Sequence, residues 1–190
     1  MDLLEKESEN FYYPPGGLLI WIIIFLELIT FGMGIIAFLF YGKQDPITFH
    51  ESRINLNMVI GVTNTFLLLT SGYFMAETVN QWKKKKQNRA KIYLRLTITG
   101  GILFITLKCI EYFQKIQIGI SLDTNLFYTF YWLLTAFHLV HVLVGTVILI
   151  FMYIKIDKNI LLEDMEATAA FWHMCDLIWL LLFPTLYLIV

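Results

Sequence analysis

An all-α integral membrane bundle is the fold class this sequence predicts, on three observations. Apolar residues make up 58% of the 190 and charged residues only 15%, with a mean hydropathy of +0.67. A soluble surface needs more charge than that. The apolar residues lie in runs as long as the roughly 20 residues that a helix needs to cross a bilayer, with room for about five spans. Ionisable groups inside those runs recur at helical spacing. In Thr135-Ala136-Phe137-His138-Leu139-Val140-His141-Val142-Leu143-Val144-Gly145-Thr146, both imidazoles share one arc with Thr135 and Gly145. The chain reads as a single transmembrane domain, 1–190.

Met1–Asn10 is acidic and polar, unlike the basic and apolar start of a cleavable signal peptide. Pro14-Pro15-Gly16 delays helix entry. The first span is expected over 17–41, apolar except for Glu27, which lies roughly 15 Å from its start. Gly42 to Ile54 reads as a polar loop. The second span, 55–80, carries Asn57, Asn64 and Ser71 as one polar stripe, with Gly61 beside it.

Six basic residues between Lys83 and Lys91 read as a loop with an anionic-lipid contact. The third span, 92–114, has Lys108 and Glu111 near its far end, where they pair and reach the interface. The fourth span, 125–154, holds the histidine pair. The fifth, 164–190, opens on small residues suited to close packing and carries His173 and Asp176, with Pro184 near its end. Cys109 and Cys175 stand apart in apolar segments, with no CxxC, and read as small buried hydrophobes.

Positive charge sets orientation. Lys6, the basic run, Lys155 and Lys158 fall on one side, which places the N-terminus in the cytoplasm and the C-terminus outside. His138 and His141 then lie roughly 20 and 24 Å into their span, and His173 roughly 12–14 Å into its own. Asp176 is slightly deeper. Glu27, His138, His141, His173 and Asp176 thus occupy one slab of membrane and are expected to share a buried polar network. A formal net charge of −1 gives no footprint for nucleic acid, and none is expected as a partner.

Three function classes follow from these groups. A structural or interaction subunit uses them to bind helices together. A histidine-ligated membrane metalloenzyme or di-haem protein would use His138, His141 and His173, although four histidines in the chain are few for that chemistry. A small proton carrier would line a path with Glu27, Asp176 and the histidines, although no inverted repeat or interrupted helix is visible. Glu27 reads either as a structural carboxyl or as a proton-handling one. Asp176 reads as a partner for a histidine.

The same residues, in order, resemble subunit III of the haem-copper oxidases, the cytochrome c oxidase subunit III family. Glu27 sits where the family has a membrane-buried glutamate known for carbodiimide reactivity. Asn64-Thr65-Phe66-Leu67-Leu68-Leu69-Thr70-Ser71-Gly72 resembles its N-T-x-L-L-L-x-S-G pattern, and Glu111-Tyr112 its helix-ending Glu-Tyr pair. Phe137-His138-Leu139-Val140-His141-Val142 with Gly145-Thr146 resembles F-H-G-x-H-V-x-x-G-T. Trp172-His173 to Asp176 and Trp179 resemble W-H-x-x-D-x-x-W. Leu139 replaces the usual glycine, and Leu26 stands where a serine is common. Seven-helix members carry two helices before the first span. The sequence as read resembles the short, five-helix members of bacterial oxidases and of some nitric oxide reductases.

The resemblance implies a non-catalytic subunit of a respiratory terminal oxidase in the inner (plasma) membrane. A quinol oxidase or nitric oxide reductase assembly is the alternative. Haem and copper are expected in partner subunits and no metal or cofactor in this chain. It implies packing against catalytic subunit I, bound phospholipid and support of proton uptake. Gly32 and Gly34, Gly61 and Gly72, and Gly100 and Gly101 are expected to mark faces of close approach. The catalytic subunit is expected on the first and second spans, with lipid beside Trp21 and Arg53.

Overall fold

The computed structural model describes residues 14–157 and 160–189. The acidic start, Lys6, Lys158 and Val190 lie outside the described residues. The described chain is all-helical: α1 (Leu18–Gln44), α2 (Pro46–Ile54), α3 (Met58–Lys83), α4 (Gln87–Gln117), α5 (Leu126–Lys155) and α6 (Leu162–Pro184), with a π-helical turn at Thr185–Ile189. Five of these helices, α6 with its π turn counted as one, are long and apolar enough to cross a membrane.

Local chemistry sets the boundaries. Gly16 and Gly17 have φ of 78° and 87°, a left-handed entry that glycine adopts at little cost. A Cβ on Gly16 would lie 2.6 Å from the Ala167 backbone, so the entry is also packed onto α6. Trp21 donates to the Pro15 carbonyl at 3.0 Å and holds this turn against α1. The expected loop at 42–54 is largely helical. Asp45 accepts from the Thr48 amide at 3.2 Å and Pro46 takes the first helical position, a start signal that outweighs the polar composition. Asn57 is the cap of α3, accepting from the Ile60 amide, and not part of a buried stripe. Asn125 caps α5 in the same way, and its amide donates to Ser52 Oγ at 2.9 Å, tying α2 to α5.

The third span begins at Gln87, not Ile92. Lysine and arginine are good helix formers, and Lys83, Arg89 and Lys91 of the basic run lie in the helices on either side. Only Lys84–Lys86 turns, through Lys85 at φ 57°. At this end Lys83 meets Glu166 at 2.7 Å and Lys91 meets Asp157 at 2.5 Å. At the other end, Pro184 lacks the N–H that an α-helix would return to Leu180, and the chain widens into the π turn.

The consecutive helices α3 and α4 form the most extensive pairing. α4 packs on α5, and α5 on α1. α6 lies against α3, α5 and α1. α1 and α3 do not pack on one another to any extent. A cleft is left between them, floored by α6. The exposed residues of α6 in this region are His173, Leu177, Leu180 and Leu181, one stripe along the helix. Only 17% of the apolar window of α1 is buried against 56% for the last span, so α1 is peripheral and α6 central.

Inside lipid, burying apolar surface drives little, so close packing and hydrogen bonds must hold the helices. Trp172 concentrates both. It is fully buried and donates to Ser71 Oγ at 3.1 Å. A Cβ on Gly101 would stand 2.7 Å from Trp172 Cη2, and one on Gly145 3.0 Å from Cε3. Ser71 Oγ also donates to the Thr97 carbonyl at 2.9 Å. One indole therefore joins α3, α4, α5 and α6.

The glycines expected to mark faces of close approach mostly do so within this chain. A Cβ on Gly34 would lie 2.7 Å from Leu134, on Gly61 3.0 Å from Phe183 and Tyr187, and on Gly100 2.7 Å from Ser71. Gly32 alone of the six is open. Cys109 is exposed on the outside of the bundle, a correction to its expected burial, while Cys175 is buried.

Gly101→Leu is expected to destabilise the purified chain by about 1–3 kcal/mol, because a rigid indole and Thr146 leave no room. Gly32→Leu is expected to change stability by less than about 0.5 kcal/mol. Denaturant titration in detergent, followed by tryptophan fluorescence, measures both. Equal losses would contradict the wedge at Trp172.

Candidate functional site

Glu27 lies on α1 and His141 on α5, and the two meet. Glu27 Oε2 is 3.2 Å from His141 Nε2, at ion-pair distance but off the line of a hydrogen bond. His141 Nδ1 sits 2.8 Å from the Phe137 carbonyl, which only accepts, so Nδ1 carries a proton. Nε2 is left to face the carboxyl, and the pair is neutral when one proton resides on either partner. A neutral pair is the form that membrane depth tolerates best. The side chains are 25% and 12% exposed, so the pair borders the groove between α1 and α5.

His138 does not join them. It is fully buried, stacked on Trp179 at 5.4 Å, with Phe104 and Phe31 edge-on at 5.7 and 6.3 Å. Neither ring nitrogen has a hydrogen-bond partner. Three residues on a helix advance about 300°, enough for His138 to face the core while His141 faces α1.

His173 and Asp176 form a second pair within α6. Nδ1 and Oδ2 are 3.4 Å apart, with His173 45% exposed and Asp176 buried. A Cβ on Gly72 would overlap Asp176 Oδ2, so the missing side chain on α3 is what admits the carboxyl. The expected single network is therefore two pairs and a solitary ring. The three histidines do not converge, and among the described residues no group of three His, Cys, Asp or Glu could hold a metal ion.

The other residues singled out in the sequence have separate surroundings. Asn64 is fully buried with neither amide atom partnered. Ser71 and Gly72 line the contacts of α3 with α6 just described. Trp21 is engaged with Pro15. Arg53 donates to the Leu188 carbonyl at 3.2 Å and lies 3.3 Å from His50 Nδ1, beside a cavity of about 210 Å³ that Tyr187 also lines.

The largest polar cluster was only half legible. Lys108 and Glu111 pair at 2.9 Å, as expected, and both are buried inside the bundle. Two tyrosines brought in by other elements close over them. Tyr131 of α5 and Tyr187 of the π turn each donate to Glu111 Oε1 at 2.8 Å, and Lys108 Nζ lies 3.2 Å from each hydroxyl. Lys115 follows one turn on, 3.8 Å from Glu111 Oε1 and buried. Tyr112 donates to Thr135 at 2.8 Å. The spacing 108, 111, 115 marks one face of α4. The tyrosines lie 20 and 76 residues away from Glu111, and no local pattern announces them.

Comparisons with known proteins give the family. The profile of the family described as cytochrome c oxidase subunit III matches residues 19–190. The cytochrome c oxidase subunit 3 of Corynebacterium diphtheriae is 26% identical over 190 aligned residues, covering 92% of this chain and 89% of the relative. The cytochrome bo(3) ubiquinol oxidase subunit 3 of Buchnera aphidicola from Acyrthosiphon pisum is 25% identical, covering 89% and 84%. The heme-copper oxidase subunit I+III of Aeropyrum pernix is 26% identical over 89% of this chain and 22% of the relative. On these grounds the chain belongs to the cytochrome c oxidase subunit III family and is a multi-pass membrane subunit III of a haem-copper oxidase, of cytochrome c or quinol type.

Proposed function

We propose that this chain is a non-catalytic subunit of a respiratory terminal oxidase in the plasma membrane, with its N-terminus in the cytoplasm. It docks against catalytic subunit I through the cleft between α1 and α3, binds phospholipid at its edges and supports proton uptake. One observation carries the docking surface. His173 is 45% exposed on the floor of that cleft, paired with Asp176, at a depth where lipid tails would otherwise meet it. A polar pair in hydrocarbon needs a protein neighbour. The flanking residues Leu177, Leu180 and Leu181 are exposed and apolar, which suits a transmembrane helix laid into the cleft. The Aeropyrum pernix relative, whose name joins subunits I and III in one chain, supports adjacency to subunit I.

Proton support rests on the Glu27–His141 pair, an acid and an imidazole 3.2 Å apart on two spans. The basic turn at Lys84–Lys86 and the neighbouring lysines support the orientation.

A photo-crosslinking residue placed at Leu177 or Leu181 in the intact oxidase is expected to capture the catalytic subunit. One placed at Val147, exposed on α5, is expected to capture lipid alone. Capture of the catalytic subunit only from α5 would turn the docking face around.

Glu27→Gln and His141→Gln, made singly and together, are expected to slow sustained turnover of the oxidase in proteoliposomes while leaving its haem spectrum unchanged. The double variant falls no further than the worse single variant, because the two side chains act as a unit. Additive losses would separate their roles.

A further inference from the structure

His173 differs from the other polar side chains on the outside of the spans. The exposed hydroxyls of Thr30 on α1, Thr63 and Thr70 on α3, and Thr99 and Thr106 on α4 each donate to a carbonyl four residues back, at 2.8–2.9 Å. They carry no unmet donor into lipid. His173 is 45% exposed, and its Nδ1 faces Asp176 Oδ2 at 3.4 Å. Nε2, on the opposite edge of the ring, has no hydrogen-bond partner among the described residues. Asp176 Oδ1 likewise has none.

His173 stands roughly 16 Å beyond the start of α6, and its span runs on to Ile189. The ring therefore lies in the hydrocarbon, short of the lipid ester groups. At that depth the pair is held best as a neutral unit, with one proton shared between the carboxyl and Nδ1. Nε2 carries a further proton in either placement of the shared one. With the shared proton on Asp176, the imidazole is neutral, Nδ1 accepts, and the ring N–H is on Nε2. With it on Nδ1, the imidazole is a cation and both nitrogens carry N–H. Nε2 is a donor in both forms, turned away from Asp176 and towards the cleft between α1 and α3. Acyl chains offer it no acceptor, and an unmet N–H in hydrocarbon is costly.

The geometry points to a recognition contact in which His173 Nε2 donates to a hydroxyl or amide oxygen on a transmembrane helix of the catalytic subunit seated in the cleft. A helix holds an acceptor fixed at mid-membrane depth, which a lipid tail does not. Leu177, Leu180 and Leu181, on the same exposed stripe, take apolar side chains of that helix on either side of the polar one. A neutral oxygen suits the contact better than a carboxylate, because Asp176 already balances the imidazole. The contact rests on the docking reading above and adds to it the chemistry of the partner's residue.

The test uses the intact oxidase complex. Complexes with wild-type chain, His173→Leu and His173→Gln are challenged with rising detergent, and the fraction of this chain still bound to the catalytic subunit is read by native mass spectrometry. Leucine removes the donor, whereas glutamine returns an N–H. His173→Leu is expected to favour release about tenfold, with His173→Gln within about twofold of wild type. A second measurement leaves His173 in place. The peptide captured by the photo-crosslinking residue at Leu177 is sequenced, and a hydroxyl or amide side chain is expected within two helical turns of the captured residue. A wholly apolar stretch there would overturn the contact. Capture of the catalytic subunit with release unchanged, or reduced, in His173→Leu would overturn the contact alone. Capture of lipid only, or of a second copy of this chain, would overturn the docking reading and the contact together.

Discussion

The bundle depends on the contact of Trp172 with the bare backbones of Gly101 and Gly145. Lipid tails are as apolar as the helix faces, so association must come from proximity and from hydrogen bonds. A fully buried indole between two glycines supplies the first, and its N–H on Ser71 supplies the second. Because Ser71 also holds the Thr97 carbonyl, the hairpin of α3 and α4 is joined to α5 and α6 at one depth. The positions of Asp176 against Gly72 and of His138 against Trp179 both follow from where this wedge sets α6.

Charge inside the membrane is handled in pairs, each with a different exposure. Lys108 and Glu111 are sealed by tyrosines in the interior. Glu27 and His141 border a groove, and His173 opens onto the cleft beside buried Asp176. The Lys108–Glu111 pair is buried, whereas the Glu27–His141 and His173–Asp176 pairs each keep a part-exposed side chain. His138 falls outside the scheme, an imidazole used as an aromatic plate in a stack of rings.

α1 stands apart from the rest. It packs on α6 and α5 but scarcely on α3, the next span, and the short helix α2 links the two. The cleft lies between α1 and α3. It exposes His173 of the His173–Asp176 pair. Membership of a multi-subunit oxidase is consistent with a surface of this kind, apolar along its length and polar at one depth.

The sequence by itself determined the fold class, the spans to within a few residues and the helix that carries each acid and histidine. Composition and periodicity act locally and suffice for that. It also determined the family, through motifs laid out in order from Glu27 to Trp179. It placed α2 and the start of α4 wrongly, because polar residues were read as loop where Asp45-Pro46 and the stretch from Gln87 to Lys91 form helix. Only the tertiary structure decided which titratable groups meet. Whether Glu27 finds His141 or His138 depends on the rotation of α5, and that rotation is set by Trp172 resting on Gly145. The closure of Tyr131 and Tyr187 over Lys108 likewise depends on three elements arriving at one point, and no interaction short in sequence encodes such a convergence.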